Sequence, residues 1–194
     1  MVSLDDFRWS ALARYNDAAL EHAVVLTALA RMKIQSHFDY ASALSIRPVV
    51  RLMTEMHGFC FSTRKAIEIS EAKRSGVKAL ALQTKLYGGG REVEIGPGQS
   101  RCLSNRDFWW IISRIIHSQQ THVETENVIT KATQHRIYSE DHMKYFGFRS
   151  DFDGRTGNDS IESLHYVSTE ALVAAYVMEI EPMIQETIRN SSNG

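Results

Sequence analysis

Apolar residues recur at helical spacing along most of the chain. Phe7, Leu12, Tyr15, Leu20, Val24, Leu29 and Met32 predict one long helix, opened by Ser3 with Asp5 and Asp6 in its first turn and running to about Ser36. Ala18, Ala19, Ala23, Ala28 and Ala30 keep parts of it thin enough for a neighbouring helix to approach closely. His37, Phe38 and Tyr40 then lead into a loop. A second helix is expected from about Ile46 to Lys73, with Pro48 in its first turn and Val49, Leu52, Met53, Met56, Phe59, Cys60, Ala66 and Ile67 at helical period. The two should pair antiparallel, with Met53, Met56 and Phe59 as core and Cys60 as an inert buried thiol.

The pattern then loosens. Val77 to Leu86 fits a short helix or a strand, and the glycine clusters at 88–90 and 96–98 bracket an alternating segment, Arg91 to Ile95, that fits a small strand. No Gly-Lys-Ser/Thr follows these glycines, so a connecting loop is the better reading than a phosphate loop. The sharpest helix signal is SNRDFWWIISRIIHS, Ser104 to Ser118, with Ser104 as N-cap and Asp107 three residues on. Gln119 to Tyr138 is polar and reads as surface or the rim of a site, with His122, Glu124, Glu126 and His135 scattered through it at no metal-ligand spacing. His142 to Phe148 and Ile161 to Val167 read as two strands around the turn DFDGRTGNDS, which lacks the ligand pattern of a calcium loop. Ser168 caps a final helix that Pro182 should kink or break, and residues 190–194 form a flexible tail. The fold class predicted is mainly α: a single-domain antiparallel helical bundle over residues 1–194, with a small β-hairpin insertion.

Composition narrows the function classes without choosing among them. The 194 residues are 43% hydrophobic and 23% charged, ordinary globular values. A net charge of −1 argues against a surface coated in basic residues, though not against a local basic site. Two cysteines are too few for a disulfide scaffold, the start MVSLDDF lacks the regions of a signal peptide, and the longest apolar run is too short to span a bilayer. A cytoplasmic protein with reduced thiols, no membrane association, and neither metal nor cofactor is expected.

Chemistry gathers on the central helix. At 100° per residue, Phe108, Trp109, Ile111, Ile112, Ile115 and Ile116 spread over an apolar face, while Trp110, Ser113, Arg114, His117 and Ser118 fall on the other side. Arg114 and His117 stand one turn apart, and Trp110 lies four residues before Arg114, within reach of its guanidinium. The block Ser113-Arg114-Ile115-Ile116-His117-Ser118 is similar to a basic-Ile-Ile-His block in a group of uncharacterised bacterial helical proteins. More remotely, it resembles the HEPN superfamily, helical bundles that often act as dimeric, metal-independent ribonucleases in phage defence and toxin–antitoxin systems. Fewer residues separate Arg114 from His117 than that family's pattern places there.

The resemblance implies an RNA-cleaving homodimer with an arginine and a histidine from each subunit in a shared groove; by position these are Arg114 and His117. His117 would take the 2′-hydroxyl proton and Arg114 would stabilise charge on the phosphorane. Ser113 or Ser118 would orient the imidazole, and Trp110 would stack a base. The alternative is a non-catalytic helical module whose same face binds a partner protein or nucleic acid. A second phosphate-binding residue beside His117 would favour the enzyme; Arg114 locked in an internal ion pair would favour the module.

Overall fold

The computed structural model describes residues 4–34, 41–70, 77, 80–87, 103–118, 121–132, 137–150 and 163–192. Helix α1, Leu4–Ala30, and helix α2, Ala41–Ser70, run antiparallel, because Arg8 donates to the carbonyl of Ile69 while Tyr15 meets Phe61 and His22 meets Glu55. Their seam has a regular four-three spacing. Leu12, Asn16, Ala19, Ala23, Leu26 and Ala30 are buried on α1, and Leu52, Met56, Phe59, Thr63, Ala66 and Ser70 on α2. That is the stripe that lets two helices lie side by side over several turns, and the alanines permit close approach. Cys60 is fully buried in this core, where burial pushes its thiol well above the ordinary range, so it is not a nucleophile.

Both long helices differ in extent from their sequence pattern. Helix α1 stops at Ala30 because Lys33 and Ile34 form a short strand, β1, paired with Asp141 and His142. Helix α2 starts at Ala41, which leaves Pro48 inside its second turn at the expense of one backbone bond. The Ser3 cap, the loop at 37–40, the segment 91–95 with its flanking glycines, His135 and the turn 151–160 lie outside the described residues.

The protein is mainly helical, and the expected hairpin is the middle of an antiparallel sheet. Strands β5, Ile137–Ser150, and β6, Ser163–Ser168, pair from Tyr145 against Ser168 to Ser150 against Ser163. Strand β6 also pairs with β2, Ala81–Tyr87, which pairs with β3, Leu103–Asp107. On its other edge β5 takes β4, Thr121–Ala132, along almost its whole length. The polar stretch after the central helix is thus a strand: Thr121, Val123, Thr125, Val128, Ile129 and Thr130 supply the β-branched residues that favour it. Lys144 is an extra residue on β5, a bulge between the pairs Tyr145–Glu124 and Met143–Thr125.

The central helix, α3, spans Phe108–His117 and is capped by Asp107, which accepts from the backbone N–H of Trp110 at 2.8 Å. Ser104 is not its cap, because residues 103–107 are held in the ladder with β2 and the chain turns helical only after Asp107. Phe108, Ile111, Ile112 and Ile115 are buried on α2 and the sheet, and Met143, Phe146, Phe148 and Val167 answer from the strands. Beyond β6, Ser168 caps α4, Thr169–Ala175, accepting from Ala171. A π-helical turn, Tyr176–Ile180, then leads into α5, Glu181–Ser192, so the expected break at Pro182 takes the form of a widened turn just before it, and the helix continues through Asn190. Tyr176 is fully buried there; its hydroxyl donates to Asn16 of α1 at 2.6 Å and its ring stands edge-on to Phe59.

No helix among the described residues is long and apolar enough to cross a membrane.

Candidate functional site

The α3 face gathers charged groups from three elements. Its cap places Trp109 and Trp110 in the first turn, half-buried, with Arg114 and His117 one and two turns further on. From β3, the Arg106 guanidinium lies over the Trp110 ring with its carbon 4.9 Å from the centroid, and Arg114 lies over the same ring at 5.6 Å. From α2, Arg64 lies over Trp109 at 5.4 Å. Each indole thus holds a guanidinium in place on a π surface, a geometry that fixes the planar fork of donors at modest entropic cost.

His117 is exposed, and its Nε2 sits 3.2 Å from Nη1 of Arg64. An arginine N–H can only donate, so in this contact the imidazole accepts through the Nε2 lone pair and carries its proton on Nδ1. Arg64 also donates from Nε to Glu68 at 2.9 Å, and Lys65 donates to the other Glu68 oxygen at 2.9 Å. Burial raises the Glu68 pKa, but the hydrogen bonds and charges of Lys65 and Arg64 outweigh it and hold the carboxyl below its ordinary value.

Beneath Trp110 lies His165 of β6. It is cross-strand partner to Phe148, on which it stacks at 5.6 Å, and its ring is edge-on to Trp110 at 5.0 Å. Only 2% of it is exposed, and its Nδ1 has no hydrogen-bond partner among the described residues. Burial first, then the charges of Arg106 and Arg114, push its pKa down to about 4, so it is neutral beneath the cationic face at physiological pH.

Of the residues singled out by sequence, Trp110 and Arg114 come together through their π contact, and His117 stands on the same side of α3 with Arg64 as its neighbour. Ser118 closes the helix by donating its backbone N–H to Ile115. Ser113 turns inward, with its Oγ buried and without a hydrogen-bond partner among the described residues. Arg64, Arg106, Glu68 and His165 were not singled out. The one local hint was the adjacent pair Trp109-Trp110, an unusual cost in exposed aromatic surface unless cations cover it.

A different histidine arrangement sits in the α1–α2 seam. His22 Nδ1 donates to Glu55 at 2.6 Å, and Arg51 pairs with the other oxygen of that carboxylate, whose side chain is 6% exposed. The His22 ring lies on Gly58, where an added Cβ would come within 2.5 Å of it. These groups satisfy one another, which gives His22 a structural role in the seam. Among the described residues no group of three His, Cys, Asp or Glu side chains gathers as a metal site.

No protein family, no curated protein and no solved structure matches this chain.

Proposed function

We propose that the α3 face binds single-stranded RNA and cleaves it without a metal ion, with His117 as general base and Arg114 as the cation that stabilises the phosphorane. The observation that carries this reading is the Arg64 guanidinium, a group suited to phosphate, within hydrogen-bond distance of His117 and delivered by another helix. Arg106 extends the cationic surface past Trp110, whose ring offers a stacking platform for a base. Guanidiniums suit the work because their forks match phosphate oxygens.

In the reaction, His117 Nε2 removes the 2′-hydroxyl proton and the 2′-oxygen attacks phosphorus. The bond to the 5′-oxygen breaks, leaving a 2′,3′-cyclic phosphate and a 5′-hydroxyl whose proton comes from water. His117 then returns its proton to solvent. The Arg64 contact favours the Nδ1–H tautomer, which leaves the lone pair on the atom that must accept. A homodimer that brings two such faces together belongs to this reading, as does a role in bacterial defence or a toxin system.

A second reading, a binding module without catalysis, is favoured by one contact: the Arg64 guanidinium occupies the Nε2 lone pair that the base needs. Labelled single-stranded RNA incubated with the protein in excess chelator separates the two. Cleavage is expected, with His117→Ala reducing it about 10²- to 10⁴-fold and Arg114→Ala also reducing it, both variants keeping the wild-type circular dichroism. RNA binding without cleavage between about pH 5 and 8 would establish the module instead.

A further inference from the structure

We propose that Arg64 and Lys65 form a phosphate-binding subsite beside His117, and that Glu68 occupies it in the free protein as an internal stand-in for a phosphate of the strand. The inference rests on the RNA-binding reading only for the source of that phosphate.

The geometry is that of an oxyanion site already filled. One Glu68 oxygen takes the Nε–H of Arg64 and the other takes Lys65, each at 2.9 Å, so a carboxylate sits between two cations on consecutive positions of α2. Arg64 simultaneously reaches across to His117 on α3, and Trp109 supports the plane of its guanidinium. A guanidinium has five N–H donors in a fixed fork, and two directions of that fork are accounted for by Glu68 and His117. A phosphodiester oxygen arriving from solvent meets the same Arg64 and Lys65 donors, with the lone-pair nitrogen of His117 beside them. Access is open, since the side chains of Arg64, Glu68 and Lys65 are 28%, 26% and 40% exposed.

Charge decides which acceptor holds the site. Two cations face one carboxylate, so the cluster carries an excess positive charge. Glu68 remains ionised through the neutral range, so an incoming phosphate must displace a real anion and the free site is attenuated. Displacement also draws Arg64 from the His117 lone pair, and this releases Nε2 for proton transfer only when a phosphate is in place. In the unliganded protein Arg64 is therefore a positioning residue, with Glu68 setting the affinity of the subsite.

The test uses inorganic phosphate and the imidazole nitrogen signals of His117 in a ¹⁵N-labelled full-length protein. Wild type should show a saturable shift of the Nε2 signal. Glu68→Gln, which removes one competing charge while keeping the shape, should bind phosphate about tenfold more tightly. Arg64→Lys, which keeps the charge and loses the fork, should weaken binding and move the unliganded Nε2 signal. The proposal is overturned if Glu68→Gln binds phosphate no more tightly than wild type, or if Arg64→Lys leaves both the free signal and the titration unchanged. Phosphate binding read this way is independent of cleavage, so an inactive protein that passes this test removes the ribonuclease reading alone, and an active one that fails it removes the Glu68 stand-in alone.

Discussion

The α1–α2 seam and the outer face of α3 both carry histidine, arginine and glutamate, and they use them in opposite ways. In the seam, Glu55 is buried and meets His22 and Arg51 within a stripe of alanine, leucine and phenylalanine; the polar groups there fix how two helices lie against each other. On α3, Arg64, Arg106 and Arg114 come from three elements and rest on indole rings at the surface. Similar side chains complete one another inside a packed interface in the seam, and on α3 they are supported by aromatic rings where water reaches them.

The contrast breaks most visibly on the seam side. Phe59 is fully buried against Tyr176, and Phe59→Ala should cost about 3–5 kcal/mol by urea denaturation, because the cavity lies where three helices meet. A loss below about 1 kcal/mol would mean that the seam contributes little to stability.

Beneath the α3 face lies His165, and its effect on stability depends on pH. Its pKa is about 4 in the fold against 6.5 ordinarily. Between those values the unfolded chain takes up a proton that the folded chain refuses, so stability should fall as pH drops from 6.5 to about 4, by up to about 3 kcal/mol, and level off below. His57, half-buried on Phe146 and also shifted downward by burial, adds to the same slope. His165→Phe should flatten most of it; an unchanged slope would show that the buried imidazole is not what responds to acid.

The smallest change in stability belongs to the α3 face itself. Arg106→Ala should alter folding free energy by no more than about 0.5 kcal/mol while weakening RNA binding and lowering the salt dependence of log affinity by about one. Equal loss of stability and affinity would place Arg106 with the structural arginines of the seam.

Periodicity carried the reading of the fold where one face is buried. The long helices, the buried stripe of α3, the Ser168 cap and the strands flanking residues 151–160 all follow from spacing within a dozen residues. Strand β4 escaped because its polar residues, Glu124, Glu126 and Asn127, mask the β-branched positions that pair it with β5. Asp107 rather than Ser104 capped α3 because pairing with β2, which lies some twenty residues earlier, decided where the helix could begin. For the site, Arg114, His117 and Trp110 were legible on one helix, whereas Arg64 and His165 reach it from 53 residues before His117 and from the second strand of the β5–β6 hairpin. No local pattern encodes such a meeting; the packing of α3 between α2 and β6 creates it.

The hydrogen bond between Tyr176 and Asn16 joins positions 160 residues apart in sequence. During synthesis, α1 emerges from the ribosome well before the hydroxyl that Asn16 is shaped to meet. Until then the first helix presents a polar side chain in its buried stripe with no protein partner from the C-terminal end. A chain ending before Tyr176 would hold that helix in an unfinished state, exposed to holding chaperones and proteases for as long as it persisted.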